Sequence, residues 1–239
     1  MPMAKGSLLS PELRASTRSR IEPIARVFGR VGLTPNALTV IGLLISTLAA
    51  VLAANESWFW AGLLVAFGAI FDLFDGALAR ATGTASKFGA FLDSTLDRAG
   101  EAVVYLGVAV GLAGTREVIP GTDLRFGLVA AVAAMAASFM VSYARAKAES
   151  LGFSPGKGMA NVGLAPREIR IAILTVALLI AGWIRPYGIQ PISPSLNNWW
   201  VVLTGALALI AVLATITTIQ RILAVRAQSS VPMQSEDNR

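Results

Sequence analysis

Long apolar runs alternate with short polar stretches along this chain. Six of the runs are close to the roughly 20 residues that an α-helix needs to cross a bilayer. Their pattern predicts helices over 36–54, 57–80, 87–113, 125–149, 167–184 and 198–226. Ahead of them, "PELRASTRSRIEPIARVFGRV" (11–31) is basic, with apolar residues at Ile21, Ile24, Ala25 and Phe28. That spacing suits a helix lying on a membrane surface. "GLTPN" separates it from the first long helix, because Pro35 disfavours helix at the preceding residue and suits a first turn. The last residues, "AQSSVPMQSEDNR", are polar and are expected to be disordered. The expected class is therefore all-α: a polytopic membrane protein with six transmembrane helices and an N-terminal interfacial amphipathic helix. Three regions follow: a cytoplasmic segment with the interfacial helix (1–35), a six-helix membrane domain (36–226) and a cytoplasmic tail (227–239).

Composition supports one membrane domain. Charged residues make up 14% of the chain, against roughly 25% in soluble domains, and the mean hydropathy is +0.65. The basic start has no apolar core before a cleavage site, so no signal peptide is expected. The chain has no Cys and no His. Disulfides, thiolate chemistry, Ser-His-Asp catalysis and His-ligated zinc are all excluded. Proton transfer and metal binding fall mainly to Asp, Glu, Lys, Arg or Tyr.

Charge also orients the chain. All of the 20 lysines and arginines except Arg116, Arg125 and Arg185 fall on one side of the expected helices. By the positive-inside rule that side, which carries both termini, is cytoplasmic. The net charge of +6 then reads as a membrane-facing and anion-facing surface. The basic residues are not interleaved with stacking aromatics, so no nucleic acid is expected.

Four aspartates break the apolar pattern. Asp72 and Asp75 end the second helix, after an uncharged run that begins beyond Glu56; Asp93 and Asp97 open the third. Each pair shares a helix face, at i,i+3 and i,i+4. A short loop makes the two helices antiparallel neighbours, so the four carboxylates can meet at one depth. A charge deep in a membrane helix costs about 3 kcal/mol, so four cost about 10 kcal/mol before mutual repulsion. Structural pairing with Arg80, Lys87 and Arg98 would offset some of that. Two divalent cations would neutralise the cluster, and hard oxygen donors without His or Cys point to Mg²⁺, with Mn²⁺ as the other choice. Magnesium completes its shell with phosphate oxygens and water, which implies a phosphate-bearing substrate and in-line displacement at phosphorus. Gly76 and Ala79 continue the acidic face; they either admit a flat ligand or let helices pack closely.

These residues carry a resemblance. Asp72-x-x-Asp75-Gly76-x-x-Ala79-Arg80, eight residues, Gly89, three residues, Asp93, three residues, Asp97 resembles the signature of the CDP-alcohol phosphotransferases at all eight positions. The likeness extends over most of the chain, including "LTPNALT" at the first helix. It implies a six-helix, usually dimeric membrane enzyme with a polar cavity open to the cytoplasm. Such enzymes move a phosphatidyl-type group from a CDP-linked lipid to an alcohol and release CMP. Carried over by position, Asp72, Asp75 and Asp93 would bind metal. Asp97 would meet a second ion and take the acceptor's proton. Gly76, Ala79, Arg80 and Ser86 would line the CDP-lipid site, with Asn36, Ala37, Leu38 and Thr39 closing over the nucleotide.

"FGAFLDSTLDR" lacks the "DPxADK" form associated with glycerol-phosphate acceptors. With "VSYARAKAE" it looks more like the phosphatidylinositol-phosphate synthases of actinobacteria and their archaeal ether-lipid relatives. The implied partners are CDP-diacylglycerol, inositol 1-phosphate, the bilayer (here the plasma membrane) and a second copy of the chain. Ser142, Arg145, Lys147, Arg167, Arg170 and Arg221 would form a pocket for the acceptor's phosphate, although the positive-inside rule alone also places cations at these helix ends. "APREIR" departs from the "RPER"-type stretch of that subgroup, so Arg167 and Arg170 are alternatives for the cavity, as are Arg145 and Lys147. Glu101, one turn past Asp97, either tunes that aspartate or binds Arg98. Glycerol 3-phosphate or another small alcohol is the alternative acceptor. A transporter with an intramembrane acidic site is the reading from a different class.

Overall fold

The computed structural model describes residues 27–29, 32–114, 125–153, 162–185 and 199–229. Within them lie six long helices: α1 Pro35–Ala54, α2 Trp58–Ala81, α3 Lys87–Gly114, α4 Arg125–Ser150, α5 Arg167–Ile184 and α6 Trp199–Ser229. The expected boundaries hold to within three residues. The largest difference is at the end, where α6 continues through Ser229 into the expected tail. Thr34 caps α1, its hydroxyl accepting from the Ala37 N–H at 3.2 Å, and Pro35 occupies the first turn.

Six helix–helix packings dominate: α1 on α2 and on α3, α2 on α5, α3 on α4, α4 on α6, and α5 on α6. Each helix takes part in two of these, so the strongest contacts close a single ring, α1–α2–α5–α6–α4–α3. Small residues make the ring tight. Ala49, Ala53, Ala61, Ala131, Ala134, Ala177 and Ala181 are buried together with Leu112, Leu178, Leu203, Leu207 and Ile210. At the α1–α3 crossing a Cβ on Gly107 would overlap the Ala50 carbonyl, so only glycine lets these backbones approach.

The outer faces are apolar. Leu44, Leu48 and Val51 on α1, Phe67 and Ile70 on α2, and Val212, Ile219 and Ile222 on α6 are all exposed. Helices α1, α2, α4 and α6 are long and apolar enough to cross a membrane. The other two, α3 and α5, carry charges that face one another. Arg167 pairs with Asp97 and Arg170 with Glu101, across the ring.

The expected interfacial helix falls almost wholly outside the described residues. Its described part, 27–29, is a helical turn whose Phe28 ring lies 6.1 Å from Phe71 and 5.5 Å from Phe74 on α2. Phe28 therefore packs on protein, beside Leu38 and Leu78. At the end opposite the aspartates, Trp58 stacks on Trp199 at 5.6 Å, and the Arg185 guanidinium lies 4.9 Å from the Trp199 ring while pairing with Glu56.

Candidate active site

The α2–α3 hairpin brings the two aspartate pairs to one end of the ring. Asp75 is the most enclosed at 7% exposure. Its carboxylate faces the Thr39 hydroxyl at 2.9 Å and accepts from the Gly76 N–H. Asp72 lies against α1 at Gly42, where a Cβ would stand 2.9 Å from its Oδ1. Its Oδ2 accepts from Arg167 Nη2 at 2.8 Å, and Asp97 Oδ2 accepts from Arg167 Nη1 at 2.8 Å. One guanidinium from α5 thus bridges acids from α2 and α3. Arg98 reaches Asp97 more loosely, at 3.5 Å. Asp93 makes no hydrogen bond or ion pair among the described residues.

The sequence predicts carboxylates meeting at one depth, and Asp72 and Asp97 do face each other across one side chain. Yet no three acids already converge on a common point among the described residues. Arg167 is the cation between Asp72 and Asp97, and a cation there offsets the repulsion of the two acids. The donor set still fits Mg²⁺ or Mn²⁺ in chemistry. It is all oxygen, includes the uncommitted Asp93, and has Asp75 oriented by an outer hydroxyl and a backbone N–H.

The residues expected around CDP divide into two groups. Asn36, Ser86 and Gly89 come together. The Ser86 hydroxyl accepts from the Gly89 N–H at 3.0 Å, and a Cβ on Gly89 would meet Ser86 Oγ at 3.1 Å and Asn36 Oδ1 at 3.3 Å. Arg80 folds its guanidinium back over Gly76, 3.3 Å from where a Cβ would be, and Ala79 lies between them in sequence. Two expectations need correction. Leu38 is 1% exposed and belongs to the α1–α2 core with Ala77 and Leu78, not to a nucleotide cover. Thr39 is also buried, and its hydroxyl contacts Asp75. Ala37 contributes its N–H to the helix cap. Helical geometry explains the split, since 36–39 make one turn and point in different directions.

The residues expected at the acceptor's phosphate also differ in their surroundings. Arg170 is buried: its Nε and Nη2 each donate to a Glu101 oxygen at 3.0 Å, and its Nη1 donates to the Ala165 carbonyl. Glu101 is thus paired with Arg170, a partner the sequence did not suggest for it. Arg221 is buried as well, donating to the Val162 and Val141 carbonyls and so tying α6 to α4. Both therefore have protein partners that the sequence did not show. Arg145 pairs with Glu149 at 2.9 Å on the surface, Lys147 is exposed, and Ser142 is half-buried. Of the two alternatives in "APREIR", Arg167 is the one at the acids. A small cavity of about 30 Å³ lies beside Asp72 and Arg167 between α1, α2, α3 and α5, with Ser46, Glu101 and Tyr105 in its wall.

A ring of helices with acids and a basic side chain gathered at one end suits a membrane protein that handles a charged group inside its bundle. The chain belongs to the CDP-alcohol phosphatidyltransferase family, whose model matches residues 32–216. It is 39% identical to an archaetidylinositol phosphate synthase of Pyrococcus horikoshii over 168 residues, 70% of this chain and 81% of the relative. It is 38% identical to a phosphatidylinositol phosphate synthase of Cutibacterium acnes over 215 residues, 89% and 95% of the two chains. A crystal structure of the Mycobacterium tuberculosis phosphatidylinositol phosphate synthase with CDP-DAG bound gives a TM-score of 0.68 at 30% identity, covering 86% of this chain and 92% of that one. The same protein with manganese and citrate gives a TM-score of 0.69 at 30% identity, covering 86% and 88%. Family membership makes the chain an enzyme of the phosphatidyl-transferring class, which overturns the transporter reading.

Proposed function

We propose that the chain joins the phosphatidyl group of CDP-diacylglycerol to inositol 1-phosphate, releasing CMP. The observation that carries this reading is the place of Arg167. A basic side chain that can bind a phosphate lies against Asp97, the group assigned to the acceptor's hydroxyl. The names of the relatives favour the same acceptor.

Asp72, Asp75, Asp93 and Asp97 would hold two divalent ions, Mg²⁺ with Mn²⁺ as substitute. When bound, the ions supply charge neutralisation at the diphosphate and a CMP leaving group of lower basicity. Thr39 and the Gly76 N–H fix the Asp75 carboxylate. Asn36, Ser86, Gly76 and Ala79 shape the CDP end, and Arg80 stabilises charge on the diphosphate. Asp97 takes the proton from the acceptor hydroxyl as its oxygen attacks the lipid-side phosphorus. The bond to CMP breaks, and CMP leaves with the electron pair. Arg167 holds the acceptor's phosphate, with Ser142, Arg145 and Lys147 on the α4 side.

This reading keeps six membrane spans, because Asp97 and Glu101 of α3 are paired with Arg167 and Arg170 of α5 inside the ring. It places residues 36–226 in the plasma membrane as the catalytic domain, with both termini and the acids cytoplasmic, residues 1–35 at the interface, and the chain as a homodimer. The test is an acceptor screen. Purified protein, Mg²⁺ and CDP-diacylglycerol are incubated with inositol 1-phosphate, glycerol 3-phosphate or free inositol, and CMP is measured. CMP release only with glycerol 3-phosphate would refute the acceptor, and none with any alcohol would refute the reaction.

A further inference from the structure

Arg167 occupies an unusual position for a cation. It opens α5, where the helix dipole disfavours positive charge, and it is held there by Asp72 and Asp97, each at 2.8 Å. Its Nε makes no hydrogen bond among the described residues. Only its two terminal nitrogens tie it to the acids, so rotation of the side chain frees it without moving the helix. The helix itself is anchored one turn on, where Arg170 is clamped by Glu101 and the Ala165 carbonyl.

We propose that Arg167 is an internal counterion that the divalent ions displace, so that metal loading itself creates the binding group for the acceptor's phosphate. This rests on the metal-dependent reading above. Four carboxylates are neutralised by two divalent ions, which leaves the Arg167 charge unmatched. A guanidinium released beside the loaded site is the group that a dianionic phosphate binds in two-pronged fashion. Before loading, Arg167 is spent on Asp72 and Asp97 and offers the phosphate little. The acceptor is therefore captured only at a site already competent to activate it. Linkage makes the effect reciprocal: metal tightens phosphate binding, and phosphate tightens metal binding by the same factor.

The test reads binding, not turnover. Mn²⁺ affinity of the full chain in nanodiscs is measured by electron paramagnetic resonance, with and without inositol 1-phosphate. Arg167→Lys keeps the charge but loses the two-pronged bridge; Arg167→Gln loses both. Arg226→Gln, at the exposed end of α6, controls for loss of a charge. Wild type should bind Mn²⁺ about 5- to 150-fold more tightly with inositol 1-phosphate present, the usual span of such couplings. Without it, both Arg167 variants should bind Mn²⁺ more tightly than wild type, the Gln variant should show no response to inositol 1-phosphate, and Arg226→Gln should match wild type. Wild type that binds Mn²⁺ but shows no coupling, or Arg167→Lys that binds no more tightly than wild type, overturns the exchange and leaves the proposed function standing. Failure of every protein to bind Mn²⁺ overturns the metal-dependent function itself.

Discussion

Arg170 and Glu101 form a two-pronged ion pair, both contacts 3.0 Å, one helical turn deeper in the ring than Arg167 and Asp97. Arg170 is 1% exposed. The pair fixes the register of α5 against α3, and that register is what sets Arg167 opposite Asp97. Removing one partner strands a buried charge, at a cost of about 3–5 kcal/mol. Arg170→Met should therefore lower the unfolding temperature in detergent steeply. Arg170→Met with Glu101→Leu should recover much of the loss, because no charge is then stranded. Equal melting of the single and double variants would refute the account.

Thr39 acts through Asp75. Its hydroxyl lies 2.9 Å from Oδ2 of that carboxylate in a buried setting. Groups that orient a metal ligand in this way are worth about 10- to 100-fold in metal affinity or activity. Thr39→Val should raise the Mg²⁺ concentration needed for half-maximal CMP release by that order, and Thr39→Ser should stay near wild type. A shift in the apparent KM for CDP-diacylglycerol alone would instead restore Thr39 to the nucleotide.

Gly42 makes room for Asp72. A Cβ there would stand 2.9 Å from Oδ1, and the carboxylate would have to swing. Gly42→Ala favours the helix by roughly 1 kcal/mol, so folding should survive. Turnover should fall at least about tenfold, since small displacements of catalytic groups are costly. A variant both stable and fully active would show that Asp72 has slack.

Asp97 is assigned the proton transfer. General-base contributions run to about 10²–10⁴-fold, and Asp97→Asn should lose turnover by that order while retaining CDP-diacylglycerol binding, measured by equilibrium dialysis. Retained turnover would refute the role.

Much of this was legible in the residues alone. Helix positions followed from apolar runs, and the aspartate motif named its own hairpin by its spacing. Leu38, Arg170 and Arg221 were not legible. Leu38 lies within one helical turn of Asn36, and only the packing of α1 on α2 shows which side chain turns inward. The partners of Arg170 and Arg221 were hidden because sequence shows charge without its partner. Glu101 is 69 residues from Arg170, and Val141 is 80 from Arg221; no local pattern links them. Thr39 could have been suspected, since a hydroxyl on the first turn of α1 suits an acid on its neighbour.

The contacts of Trp58, Trp199, Arg185 and Glu56 staple α2, α5 and α6 together at the end of the ring far from the acids. Weakening that staple should therefore show first in stability and only afterwards in chemistry.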